Sequence, residues 1–134
     1  MQKLIFGLLI LFLTQSASAA EESDEKKKVP AYISLGNAMV LNLTNKKSRL
    51  TFLQLKADVL IADEDSKSVV ESHIPAIRHQ LILLLSEQSV QDMKSSSKRE
   101  EIRMKATTQI QELLAKLAGT NDIEDVLFSS FLVQ

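Results

Sequence analysis

His73 and His79 are the only imidazoles in the chain, and imidazole is the side chain suited to moving protons near neutral pH. To share a metal they would have to converge. Six residues apart in a helical stretch, they lie about 240° apart around the axis. Glu71 sits close to His73 in sequence, but no third ligand falls at a usable spacing. Nucleophilic chemistry finds no better footing. Cysteine is absent, which removes thiol catalysis, Cys-ligated zinc, disulfides and a lipoprotein anchor. Serines are plentiful, yet none sits in a nucleophile elbow or beside a base. The three glycines are scattered, so no phosphate-cradling loop is present. Arg78 follows an apolar helical turn, where it would ion-pair with a helix neighbour or with a partner protein. Ser95-Ser96-Ser97-Lys98-Arg99 reads as a solvated loop. The residue types point away from an enzyme, with no catalytic, cofactor-binding or metal residues, no cofactor and no small-molecule substrate, and towards a protein that works by contact.

Charge narrows the partner further. The formal net charge of −1 gives no basic field, so nucleic acid is not an expected ligand. A length of 134 residues suits one domain. Aromatics make up only 4% and tryptophan is absent, so the core must be built from Leu, Ile and Val.

The N-terminus has the grammar of export. Met1-Gln2-Lys3 is a short positive region, Leu4–Leu13 is apolar, and Ala17-Ser18-Ala19-Ala20 supplies the small residues of a cleavage site before Ala20, or one residue later. The apolar run is about half the roughly 20 residues a spanning helix needs. Residues 1–19 are therefore expected to be a signal peptide, with a short uncleaved membrane anchor as the alternative. Cleavage would remove Lys3 and bring the charge to about −2. Glu21–Lys28 (EESDEKKK) offers no apolar side chain to dock, so residues 20–30 read as a charged linker and residues 31–134 as the domain.

Within that domain, Tyr32–Leu43 reads as one strand or two short ones, interrupted at Gly36-Asn37. Thr44–Ser48 is a polar connection of hairpin length. Leu50–Ala62 is the clearest strand: Leu53, Leu55, Ala57, Val59 and Ile61 alternate onto one face, opposite Phe52, Gln54, Lys56, Asp58 and Leu60. Val69–Leu85 carries Val69, Val70, Ile74, Ile77, Leu81, Leu84 and Leu85 at helical spacing. Ile82 and Leu83 widen that stripe, so protein should nearly surround its C-terminal half. Pro75 inside the pattern requires a kink or two abutting helices. Ser86–Asp92 reads as a break and turn. Ser97-Lys98-Arg99-Glu100 has capping-box spacing, and Ile102, Ala106, Ile110, Leu113, Leu114 and Leu117 trace a second helix that Gly119 ends. Ile123–Val133 closes the chain as a strand. Val126, Phe128 and Leu132 are its candidate inward or edge contacts, with Leu127 and Phe131 competing for the phase. The expected fold is α+β: a small, mostly antiparallel sheet packed on one face by two main helices, in the order β-β-α-α-β.

Four segments in this order resemble the FliL family of flagellar basal-body-associated proteins. They are Val40-Leu41-Asn42-Leu43, the Leu53–Ile61 strand, Ile74-Pro75-Ala76-Ile77-Arg78 running into Leu83-Leu84-Leu85-Ser86, and Val126–Gln134. The likeness spans Tyr32 to Gln134, with Asn42, Leu43, Pro75, Leu84, Leu85, Phe128, Phe131 and Gln134 as the motif positions of structural weight. It implies a non-enzymatic accessory of the bacterial flagellar motor that contacts stator and basal-body proteins and supports torque, swimming and swarming. It also implies a stomatin-like (SPFH) fold and homo-oligomeric assembly. Typical members carry a full transmembrane helix, whereas this chain has the shorter signal-like segment of a signal-bearing paralogue. The implied location is the periplasm, or the inner membrane with the domain in the periplasm. The alternative reading is a soluble periplasmic binding or adaptor module with the same fold and no motor role.

Overall fold

The long strand β3 (Phe52–Ile61) runs through the middle of the sheet and is hydrogen-bonded along both edges. In this computed structural model, residues 27–45 and 49–134 are described. The expected signal segment and most of the charged linker, including Ala17, Ala19 and Ala20, lie outside them. On one edge of β3, the short strands β1 (Ala31–Ser34) and β2 (Met39–Asn42) sit end to end, both antiparallel to it. On the other edge lies β4 (Ile123–Val133), also antiparallel. Between β3 and β4 the chain makes a 3-10 turn at Glu64–Ser66, then helices α1 (Lys67–Ser72), α2 (Ile74–Ser86), α3 (Val90–Lys94) and α4 (Ser96–Ala118).

The class is therefore α+β with a small antiparallel sheet, but the order differs from β-β-α-α-β. Gly36, at φ 89°, breaks Tyr32–Leu43 into two strands, because the chain must step from the Asp58 level of β3 to the Leu55 level. A glycine takes that left-handed conformation without the clash a Cβ would bring. Three strands thus precede the helices, and two short helices accompany the two main ones.

Alternation builds the sheet as expected. Leu53, Leu55, Ala57, Val59 and Ile61 are all buried, and the intervening residues turn to the other face. Ile33 of β1 and Met39 and Leu41 of β2 join the buried side. The phase of β4 changes partway along. Val126 and Phe128 stand opposite Val59 and Ala57, then the register shifts between Lys56 and Ala57, with Ser129 as the extra residue. A bulge of this kind inverts alternation beyond it. Phe131 and Val133 consequently pack against the core while Leu132 is exposed. Leu132 is thus not an inward contact, and Phe128 and Phe131 both are.

Pro75 resolves as two abutting helices. The His73 N–H bonds Val70 O at 3.0 Å and closes α1, and α2 starts at the next residue with Pro75 in its first turn. There the missing N–H has no helical acceptor to lose. Ile77, Leu81, Leu84 and Leu85 are buried, and Ile74 packs beside them. Leu83 does not share that fate. At 49% exposed it faces away from the sheet, so α2 has one open flank. Leu117 of α4 is likewise exposed, beyond the point where Ile102, Ala106, Ile110 and Leu114 line the core.

Local capping departs from the sequence reading. Ser95, not Ser97, caps α4 by accepting the Lys98 N–H. Ser96–Arg99 is the first turn of that helix rather than a solvated loop. The capping box belongs to α3, where Ser89 and Asp92 satisfy each other's backbone N–H groups. Gly119 ends α4 at φ 67°.

One polar clamp ties the start of the helical segment to the start of β4. Ser66 Oγ and Thr120 Oγ1 both donate to the Asp122 carboxylate, and Ala62 N bonds Asp122 O at 2.8 Å. The Ser66 bond, then the Thr120 bond, hold the Asp122 pKa below the usual carboxylate range. A depressed folded pKa contributes stability that is present above the unfolded value of about 4 and is lost as pH falls through the folded value. Asp122→Asn should cost about 1–2 kcal/mol at neutral pH and flatten the stability–pH curve below about pH 4, as read by urea unfolding across a pH series.

Burial along α2 makes a second test. Leu81→Ala should cost ~2–5 kcal/mol, whereas Leu83→Ala should stay within about 0.5 kcal/mol. Denaturant midpoints of the two variants check both values, and equal losses would place α2 in the wrong rotation.

Candidate partner-binding site

β4 pairs with β3 alone, so its outer edge offers backbone groups that need other partners. Along the first part of the strand, α4 supplies them. Gln111 Nε2 donates to Ile123 O at 2.7 Å, Thr107 Oγ1 accepts from Val126 N at 3.1 Å, and Arg103 Nη1 donates to Val126 O at 3.2 Å. Four-residue spacing stacks these three side chains on one face of the helix. Arg103 also grips the Asp125 carboxylate and pairs with Glu100, one turn back. The Glu100 hydrogen bond, with the Asp125 charge, raises the Arg103 pKa further above its already high ordinary value. From Phe128 to Val133 the outer edge has no such cover among the described residues. There Arg99 stacks its guanidinium over Phe131, 5.4 Å from the ring centre, and the Phe128 and Phe131 rings lie 6.2 Å apart.

This uncovered stretch runs into a groove of about 840 Å³. One wall is the end of the β2–β3 hairpin, at Thr44, Arg49 and Leu50, and the other is α3, at Val90, Gln91 and Lys94. Phe52, Val133 and Gln134 line it between the walls. Two backbone bonds fix the walls together: Thr44 N to Gln88 O at 3.1 Å and Val90 N to Thr44 O at 3.2 Å. Asp92 is drawn into the α3 cap, and its bond from Ser89 lowers its pKa. Arg49 and Lys94 form no ion pair among the described residues, so they are the groove's cations left to meet a partner, while the Asp92 carboxylate is turned into the α3 cap. Apolar lining with a few placed charges suits part of another protein's chain.

The motif residues fall at three places in the fold. Asn42, Phe52 and Gln134 share one row across the sheet, where Phe52 and Gln134 exchange both backbone bonds, at 2.7 and 3.0 Å. Leu43 is buried just beyond that row, its N–H on Thr51 O. Pro75 opens α2, Leu84 and Leu85 are buried under it, and Phe128 and Phe131 are half-buried on β4. Arg78 forms no ion pair among the described residues. Its Nη1 donates to Leu35 O and Asn37 O, both at 2.7 Å, and so holds the β1–β2 connection against α2. His73 Nδ1 meets Val69 O at 2.7 Å at the end of α1, while His79 is exposed one helix on. No group of three or more metal-ligating side chains occurs among the described residues. No described helix is long and apolar enough to cross a membrane.

Arg103, Thr107 and Gln111 escape the sequence reading, although a polar stripe beside Ile102, Ala106 and Ile110 is visible once helical spacing is applied. Arg49 and Lys94 carry no comparable signal, because only folding brings the hairpin against α3. Thr107→Val keeps shape and removes the hydroxyl between α4 and the strand edge. It should cost about 1–2 kcal/mol and speed amide exchange at Val126, measured by hydrogen–deuterium exchange.

Compared with known families, residues 32–134 match the sequence model described as Flagellar basal body-associated protein FliL. No curated protein matches the chain.

Proposed function

We propose that this chain, which belongs to the FliL family of flagellar basal body-associated proteins, is a non-enzymatic motor accessory acting on the periplasmic side of the inner membrane. The single observation that carries this reading is the extent of the family match, which takes in the four strands and four α-helices of the described residues, save the first residue of β1. In this proposal, residues 1–19 export the domain or anchor it, residues 20–30 space it from the membrane, and residues 31–134 engage the motor. The protein associates with stator units and supports torque, swimming and swarming. A stomatin-like arrangement and homo-oligomeric assembly belong to the same proposal, by resemblance.

The groove between the hairpin and α3 is our choice for the stator-facing surface. Its support is physical: Arg49 and Lys94 sit opposite each other beside apolar lining and next to a strand edge free to accept another strand. A partner segment that is extended, acidic and partly apolar would use all three features.

Deletion of the gene should reduce spreading in soft agar and swarming on hard agar. Complementation with Arg49→Glu/Lys94→Glu should leave the protein at normal level and lower its recovery with stator proteins by at least about tenfold. Unchanged motility of the deletion strain on both surfaces would overturn the motor role. Full rescue by the double variant would move the docking surface elsewhere.

A further inference from the structure

The pairing of β4 leaves a short, regular set of backbone groups turned outward. Phe52 and Gln134 exchange both of their backbone bonds, and antiparallel pairs alternate between bonded and non-bonded. Counting back along the register, Leu132 and Ser130 face Gln54 and Lys56 as bonded pairs, while Phe131 and Val133 turn their N–H and C=O away from β3. Those groups take no backbone partner among the described residues. On the other side of the Ser129 bulge the outward positions pass to Phe128 and Val126, and there the edge is occupied. Val126 N–H donates to Thr107 Oγ1 at 3.1 Å, Val126 C=O accepts from Arg103 Nη1 at 3.2 Å, and Ile123 C=O accepts from Gln111 Nε2 at 2.7 Å. The outer edge of β4 thus has an open end and a filled end, and the change falls at the bulge.

We infer that the open end takes one extended segment of a partner protein as a further strand of the sheet, and that Arg103, Thr107 and Gln111 stop that strand at the bulge. This rests on the reading of the hairpin–α3 groove as the docking surface and says how that surface is used. Pairing at Phe131 and Val133 engages both backbone groups of each residue. Side chains of the added strand opposite Phe131 and Val133 turn to the helical side, where Val90 and Lys94 line the groove. The one opposite Leu132 turns outward, beside a leucine that is 49% exposed. Past Gln134 the strand runs on towards Arg49 and Leu50, which precede Phe52 in the chain and line the same groove. From the bulge to Leu50 is about seven residues, or ~24 Å of extended chain. Acidic side chains there meet the two cations and apolar ones meet Val90, Leu50 and Leu132, so charge selects an acidic, partly apolar segment.

The stop has a physical cause. A strand continuing past Ser129 would need Val126 N–H and C=O, and each already has a side-chain partner. Exchanging one hydrogen bond for another gains little, and the exchange would also pull Arg103 from the Asp125 carboxylate. At Phe131 and Val133 the partner displaces only water. The bulge adds a second barrier, because it breaks the even spacing of outward groups that a regular strand requires. Affinity should therefore rise with partner length up to about seven residues and stay flat beyond it.

Synthetic peptides of alternating Val and Asp, seven and eleven residues long, test this on the full exported chain by fluorescence anisotropy and hydrogen–deuterium exchange. The shorter peptide should bind, slow exchange at the Phe131 and Val133 amides at least about tenfold, and leave Val126 unchanged. N-methyl groups on alternate residues should weaken binding at least about tenfold when they fall on the valines or on the aspartates, but not both, since only one edge of an added strand is paired. The longer peptide should bind the wild type no more tightly. On Arg103→Leu/Thr107→Val it should gain at least about tenfold, with circular dichroism confirming the fold of that variant; if the variant does not fold, the wild-type comparison of the two lengths carries the test alone. Binding that Arg49→Glu/Lys94→Glu abolishes but neither N-methyl set weakens would keep the groove as the docking surface and overturn the added strand. Tighter binding of the longer peptide to the wild type would overturn the stop. No slowing at Phe131 and Val133 at any peptide concentration, or slowing that follows the chain's own concentration without peptide, would overturn the whole proposal.

Discussion

Every element of this fold answers to one constraint, the double-sided pairing of β3. Its odd-numbered residues turn their side chains inward and, as the Leu35–Ala57 bond illustrates, their backbone groups towards β1 and β2. Its even-numbered residues turn theirs towards β4, as the Phe52–Gln134 exchange illustrates. A buried strand with either set unmatched would carry several orphaned polar groups at about 1–3 kcal/mol each. The chain meets one set at once, with the two short strands that precede β3. It meets the other only with β4, which starts 62 positions after β3 ends (61 to 123), at the modest extra cost of closing a long loop. The four helices fill that interval, and their packing is what brings β4 back to the correct edge.

Moving the unmatched edge outward creates the next requirement. Once β4 satisfies β3, β4 is itself exposed, and α4 covers its first half with Arg103, Thr107 and Gln111. Side-chain cover of this kind needs a helix parallel to the strand edge for about two turns, which the length of α4 supplies. The second half of β4 is treated differently. There the bulge at Ser129 twists the strand and sends Phe131 and Val133 to the core, while Arg99 lies over Phe131. Bulges and nearby charge discourage indiscriminate pairing, so the uncovered stretch is selective about what it accepts rather than closed.

The parts of this structure legible in the sequence are those written in short-range periodicity. The alternation of Leu53 to Ile61, the helical stripes through Ile77 and Ile110, the stop at Gly119 and the helix boundary at Pro75 each depend on residues within a turn or two. What was not legible depends on register between distant segments. Leu83 and Leu117 extend apolar stripes in sequence, but the sheet beneath is only three strands wide and runs out before it reaches them. Leu132 looked inward because alternation was carried through Ser129 without the bulge. Ser97 and Ser95 both have a helix in front of them, and the choice fell to Ser95 once α3 ended at Lys94. The groove is the extreme case: Arg49 and Lys94 are 45 positions apart and become neighbours only through the Thr44–Ser89 bridge.

The distribution of surface chemistry follows from this economy of layers. A domain with helices on one side of its sheet leaves the other side to solvent or to partners, and a sheet this narrow cannot bury both faces with its own chain. On the helical side polar groups are matched internally, and no buried side-chain N or O atom among the described residues lacks a partner. On the outer side Lys56 and Asp58 form no ion pair among the described residues, within a patch of Tyr32, Val40, Leu60, Leu127 and Leu132. Solvation alone would account for the charges but not for the apolar groups around them. Hydrophobic stabilisation alone would account for neither, since those side chains are not buried by the fold.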